Sequence, residues 1–136
     1  MTASIDVKSS SGIYTFSVGS SLLETKVTEY QKNSGFDSCF LLVDENVWKH
    51  HHERIVELFK SLDVQFTHKI IPSGEQSKSI SRWESLVDFL LNSGVRRNTP
   101  LFAVGGGVTG DLAGFVASST LRGIPLVHIP TTLLAM

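Results

Sequence analysis

Residues 101–136 read LFAVGGGVTGDLAGFVASSTLRGIPLVHIPTTLLAM, and this stretch decides the fold because it spells strand, glycine turn, helix and strand in succession. Leu101–Val104 is a short apolar run of the kind buried on both faces of a parallel sheet. It runs into Gly105, Gly106 and Gly107, three residues without Cβ that permit positive φ and let the backbone approach a ligand. A helix starting there aims its unsatisfied N–H groups and the positive end of its dipole at the same point, which makes a seat for a phosphate. Gly105, Gly107 and Gly110 satisfy the dinucleotide pattern G-x-G-x-x-G, with a strand before and a helix after. The acidic residue that usually follows about 20 positions later to hold the ribose is missing, since no Asp or Glu comes after Asp111. Asp111 itself is expected in the first turn of the helix, as an acceptor for a bound sugar or amide or as a plain N-terminal helix charge.

Upstream, Ser4–Lys8 and Ile13–Val18 alternate apolar and polar residues around a turn at Ser9–Gly12, the pattern of a β-hairpin. Ser20 or Ser21 is placed to cap a helix through about Lys32, with Leu22, Leu23 and Val27 on one face and Gly35 past its end. Cys39–Val43 reads as a second buried strand ending in Asp44 and Glu45, at the strand end where ligands bind in open α/β sheets. Asp44 is therefore either a ribose partner or the N-cap of the next helix, with Asn46 as competitor for the cap, and both roles can hold together. That helix, Asn46–Leu62, turns Val47, Ile55, Leu58 and Phe59 inward. His50, His51 and His52 lie on its first turns; consecutive positions point about 100° apart, so they cannot converge on one ion. Val64–Ile71 is a third strand, leading into Pro72, Ser73, Gly74, Glu75, Gln76, Ser77 and Lys78. Glu75 and Lys78 stand three apart where a helix begins, so they form a local ion pair or face one ligand together, the acid toward a sugar or base and the amine toward a phosphate. Trp83, Leu86, Val87, Leu90 and Leu91 make the buried stripe of a helix ending near Asn92–Gly94. This order predicts an α/β fold: a Rossmann-like, mainly parallel sheet with flanking helices, right-handed crossovers and an N-terminal β-hairpin. The cleft should gather Asp44, residues 73–78, the glycine turn, Thr131 and Thr132 at the strand C-termini.

The 136 residues, 41% of them hydrophobic, suffice for one modest core and predict a single domain over residues 1–136. A net charge of −1, from 12 basic and 13 acidic residues, leaves no electrostatic footprint for nucleic acid or an anionic membrane. Cys39 is the single cysteine, so no intrachain disulfide forms, and its place in an apolar run suits a small buried hydrophobe. MTASIDVKSS lacks the apolar core of a signal peptide, and no run approaches the roughly 20 apolar residues of a membrane span, so a cytoplasmic setting is expected. The apolar run up to Met136, without a cap glycine or polar tail, leads us to expect a fragment of a longer fold.

GGGVTGDLAGF at Gly105–Phe115, LRG at Leu121–Gly123, IPTTLLAM at Ile129–Met136, PSGEQSK at Pro72–Lys78 and VDENV at Val43–Val47 together resemble 3-dehydroquinate synthase, the sugar-phosphate cyclase of the shikimate pathway to chorismate and the aromatic amino acids. One departure is Thr120, where the family usually carries an aromatic residue two before the arginine. The resemblance implies a lyase that uses NAD and a divalent metal, zinc or cobalt, to convert 3-deoxy-D-arabino-heptulosonate 7-phosphate to 3-dehydroquinate and phosphate. Oxidation of a ring alcohol acidifies the neighbouring C–H so that phosphate leaves by β-elimination; the hydride returns, and ring opening and an internal aldol closure follow. By position, the NAD contacts carried over are Asp44, Ser73, Gly74, Glu75, Gln76, Lys78, Gly106, Gly107, Val108, Thr109, Gly110, Asp111, Thr131 and Thr132, with Arg122 on the substrate phosphate. It also implies metal ligands beyond Met136 in a C-terminal helical domain absent from this chain, no catalytic residue within it, and a homodimer when full length. Three alternatives stay open: a sister cyclase with another carbocyclic product, a metal-dependent alcohol or glycerol dehydrogenase, and a nucleotide-binding module without catalysis. The dehydrogenase pattern GGGSxxDxAK would need Ser and Lys where Val108 and Gly114 stand.

Overall fold

Alternating apolar runs and amphipathic stretches become alternating strands and helices in the structure, a computed structural model that describes residues 2–132 and 136. In chain order these are β1 (Thr2–Ser9), β2 (Gly12–Gly19), α1 (Leu22–Ser34), β3 (Ser38–Asp44), α2 (Glu45–Ser61), β4 (Gln65–Ile71), α3 (Ile80–Asn92), β5 (Leu101–Gly105), α4 (Gly107–Ser119) and β6 (Leu126–Pro130). A single 3-10 turn, Glu75–Ser77, precedes α3. The chain divides into two compact units, Met1–Gly35 and Phe36–Met136.

In the first unit β1 and β2 pair antiparallel, with Ile5 opposite Phe16 and Val7 opposite Tyr14. The period of two separates the faces: Ala3, Ile5 and Val7 share one with Tyr14, Phe16 and Val18, while the other carries Ser4 Oγ bonded to Ser17 Oγ at 2.8 Å. Helix α1 differs from expectation at its start. Ser21 precedes it with φ 55°, in the left-handed region, and its side chain makes no cap bond. The far end is as read, with Gly35 at φ 68° giving its N–H to Gln31 O at 2.7 Å.

The second unit is a four-stranded parallel sheet in the order β4-β3-β5-β6. β3 and β5 are interior, and Leu41, Leu42, Val43, Leu101 and Phe102 have no exposed surface. Alternation splits their side chains between two layers. Phe40, Leu42, Leu101 and Ala103 join Leu86 and Leu90 of α3 and Leu112, Ala113, Val116 and Ala117 of α4 in one core. On the other face Phe102 meets Phe59 of α2, ring centroids 5.1 Å apart. Leu91 departs from the expected stripe of α3: it is 48% exposed, because Leu86 and Leu90 already fill the layer against the sheet. Trp83 is half-buried and gives its indole N–H to Ser119 Oγ at 2.8 Å. From β3 the chain pairs β4 on one side and then crosses to β5 on the other, which makes the β3/β5 boundary the topological switch point, where open α/β sheets bind ligands.

Candidate functional site

Asp44, Ile71, Gly105 and Pro130 close the four parallel strands, so Asp44 and the segments 72–78, 105–111 and 131–132 issue from one edge of the sheet. The glycine turn is ordered by sterics. A Cβ on Gly105 would stand 2.9 Å from the Thr109 side chain and 3.0 Å from Asp44 Cβ, and one on Gly106 would stand 3.1 Å from Thr132 Cγ2. No glycine of the turn has positive φ, so the freedom in φ that the triple glycine permits is not what is used; room for neighbours is. Gly107 has nothing within 4 Å of its missing Cβ, so the turn opens there to a ligand. The first bond of α4 is Gly110 N–H to Gly106 O at 3.0 Å, which leaves the N–H groups of Gly107, Val108 and Thr109 ahead of the helical ladder. An open turn beneath a helix N-terminus suits a diphosphate.

Thr131 N–H donates to Gly105 O at 2.9 Å and stitches the end of β6 to this turn. Asp111 lies one turn into α4 and not in its first turn, because the helix begins at Gly107. There its carboxylate accepts from Lys78 Nζ at 2.7 Å, and Lys78 also lies 3.4 Å from Glu75 Oε2. The hydrogen bond to Asp111, with Glu75 adding to it, pushes the Lys78 amine above its ordinary range. All three groups are exposed, so the cluster contributes little to stability and is free to exchange partners with a bound anion.

Asp44 is the N-cap of α2: Oδ1 accepts from Asn46 N at 2.8 Å and Val47 N at 3.2 Å. Its Oδ2 accepts from Ser73 Oγ at 2.8 Å. An ionised carboxylate has about four acceptor positions, so one on Oδ2 is left for a ligand hydroxyl. Both expected roles of Asp44 are thus compatible in geometry. Gly74 holds φ 108°, a value that glycine tolerates, as the chain enters the 3-10 turn. The sequence placed Glu45 at the strand end and Asn46 near the cap but gave neither its tie to Ser73: Glu45 Oε1 accepts Ser73 N–H at 2.8 Å, and Asn46 Nδ2 donates to Ser73 Oγ at 2.9 Å. Twenty-seven or more residues separate these partners, so only the parallel pairing of β3 with β4 brings them together.

Arg122 is elsewhere. It follows the C-terminal end of α4, exposed, a helix length of about 20 Å from the glycine turn. His50, His51 and His52 are exposed on α2; the His52 ring nitrogen bonds Trp48 O at 3.0 Å. Leu133, Leu134 and Ala135, within the expected apolar terminal run, lie outside the described residues.

The sequence model of the 3-dehydroquinate synthase N-terminal family matches residues 68–136, just over half of the chain. The chain belongs to the 3-dehydroquinate synthase family. It is 45% identical over 97 residues to the 3-dehydroquinate synthase of Salinibacter ruber, a match covering 71% of this chain and 26% of that protein. The chain thus spans about a quarter of the length of the curated family members it matches. Among solved structures, 2-deoxy-scyllo-inosose synthase superposes with a TM-score of 0.86 at 31% identity, over 98% of this chain and 36% of its own; that crystal holds carbaglucose-6-phosphate, NAD+ and Co2+. The 2-epi-5-epi-valiolone synthase of Streptomyces hygroscopicus, with NAD+ and Zn2+ bound, superposes with a TM-score of 0.66 at 33% identity, over 71% of this chain and 27% of its own. The family match includes the PSGEQSK segment, the glycine turn and Thr131–Thr132.

Proposed function

We propose that this chain is the NAD-binding domain of a 3-dehydroquinate synthase, which converts 3-deoxy-D-arabino-heptulosonate 7-phosphate to 3-dehydroquinate and phosphate. The observation that carries the reading is the meeting of three separate segments at one sheet edge, through the Lys78–Asp111 contact and the Thr131–Gly105 bond. In this reading the N–H groups of Gly107, Val108 and Thr109 bind the diphosphate, and Asp44 accepts a ribose hydroxyl on the remaining position of Oδ2. Gly106, Gly110 and Thr132 shape the turn against it. Glu75 and Lys78, with Gln76 and Gly74 beside them, orient the cofactor from the opposite rim, and Asp111 holds the Lys78 amine in place. When bound, NAD supplies a reversible hydride acceptor and the divalent metal, zinc or cobalt, a Lewis acid. The metal ligands and the groups that move protons on the substrate belong, on this reading, to the longer protein seen in the curated relatives, which acts as a cytoplasmic homodimer. No helix among the described residues is long and apolar enough to cross a membrane.

The heptulosonate phosphate is favoured over other sugar phosphates because identity to a 3-dehydroquinate synthase is 45% over 71% of this chain, against 33% over an equal share to the valiolone synthase. Val108 and Gly114, where the dehydrogenase pattern needs Ser and Lys, speak against an alcohol dehydrogenase. The test is phosphate release by the full-length protein with NAD and a divalent cation, with the heptulosonate phosphate and glucose 6-phosphate supplied separately. Release from the first alone is expected. Release only from glucose 6-phosphate would assign a sister cyclase, and release from neither, with NAD bound, would overturn the heptulosonate phosphate as substrate.

A further inference from the structure

Ser73 has no donor left for a ligand. Its N–H is taken by Glu45 Oε1, its hydroxyl proton by Asp44 Oδ2, one hydroxyl lone pair by Asn46 Nδ2, and its carbonyl accepts Gln76 Nε2 at 3.3 Å. Three consecutive residues at the start of α2 therefore grip one residue of the loop that follows β4. Gly74, next along, sits at φ 108°; the turn beyond it is closed on itself by Ser77 Oγ to Pro72 O and Ser77 N–H to Gly74 O, so the grip on Ser73 sets where that turn, with Glu75 and Lys78, lies against α2. Of the three ties, the Glu45 bond alone holds the backbone of the loop, whereas the other two hold a side chain.

We propose that Glu45 is a positioning residue: by accepting the Ser73 N–H it fixes the 73–78 segment against the first turn of α2, and thereby sets Asp44 and Lys78 in place for the nucleotide. Ser73 is on this account a latch and not a cofactor contact. The inference rests on the NAD reading above, and two separate measurements tell their failures apart. Hydrogen exchange at the Ser73 amide reads the latch with no nucleotide present; calorimetric NAD affinity of the full-length protein reads its consequence. Glu45→Ala should speed Ser73 exchange about fivefold and weaken NAD binding about fivefold, the loss of one hydrogen bond. Glu45→Gln keeps an acceptor oxygen without the charge, and should stay within about twofold of the parent in both. Unchanged Ser73 exchange in Glu45→Ala overturns the latch. Faster exchange with unchanged NAD affinity overturns the positioning role, and a Glu45→Gln protein as impaired as Glu45→Ala overturns the acceptor role in favour of charge. A parent protein with Ser73 protected and no affinity for NAD sinks the nucleotide reading and the positioning role together.

Discussion

Gly105 and Gly107 stand two residues apart and answer to different constraints. At Gly105 a methyl group would collide with the buried Thr109 and with the capping Asp44, neither of which can withdraw. Gly105→Ala should therefore cost on the order of 1–3 kcal/mol of stability through overpacking. At Gly107 the added methyl meets empty space on ordinary backbone, so Gly107→Ala should leave the thermal midpoint unchanged or raise it slightly. On the proposed function it should still weaken NAD binding roughly tenfold, since the backbone there would approach the diphosphate and one charge-assisted bond is at stake. Melting curves and calorimetry on the two variants separate these outcomes; Gly107→Ala binding NAD like the parent would make the turn purely structural. The need for glycine was legible in the sequence as a motif. Its division into packing at Gly105 and openness at Gly107 was not, because the colliding partners come from α4 and from β3, some 60 residues earlier in the chain.

At the level of elements, β3 shows what periodicity reveals and what it leaves out. A continuous apolar run bounded by polar residues identified it as an interior strand, and the order of strands and helices through the whole chain followed from the same signal. Helix ends were harder: Ser21 looked like a cap and makes no cap bond, while Asp44 and Ser79 do cap, because capping depends on a backbone angle that residue type only biases. Ties between elements, such as Glu45 to Ser73, leave no trace in local spacing. Burial on β3 also sets a measurable property, since it pushes the Cys39 thiol up to about 12. The unfolded thiol titrates near 8.5, so above that pH the unfolded chain binds fewer protons than the folded one and stability falls until about 12. The limiting slope is about 1.4 kcal/mol per pH unit for one group. Denaturant unfolding between pH 8 and 11 should show this decline, and Cys39→Ala should lose that part of it. Equal slopes in the two proteins would mean that the thiol ionises in the folded state. Rapid alkylation of native protein at pH 8 would say the same.

At the scale of the whole molecule, the position of Arg122 sets it apart from the glycine turn. It lies at the end of α4 opposite the glycine turn, so it cannot touch a diphosphate seated there and must act in the outer cleft or on a neighbouring subunit if it acts on a ligand. Leu121 and Arg122 both adopt left-handed φ, 49° and 67°, which costs roughly 1–2 kcal/mol per non-glycine residue. The turn is held by Gly123 N–H to Thr120 O at 2.8 Å and Ile124 N–H to Ala117 O at 3.0 Å. Thr120, standing where the family usually has an aromatic residue, is buried and gives its hydroxyl to Val116 O at 2.7 Å, so the departure is accommodated without an orphaned polar group. Among the described residues Arg122 forms no ion pair, which removes the local salt bridge as a reason for a cation in a strained conformation. On the proposed function Arg122 meets the substrate phosphate, for which a fixed guanidinium fork is suited. Arg122→Gly tests this with effects of opposite sign. Relief of the left-handed strain should raise stability by up to about 1 kcal/mol. In full-length protein kcat/KM for the phosphorylated substrate should nevertheless fall at least about tenfold, equivalent to about 1.4 kcal/mol of lost transition-state binding, while NAD affinity stays within a few-fold. Activity close to the parent would make Arg122 a surface residue in an awkward turn, and a parallel loss of NAD affinity would place it at the cofactor, against the distance that α4 imposes.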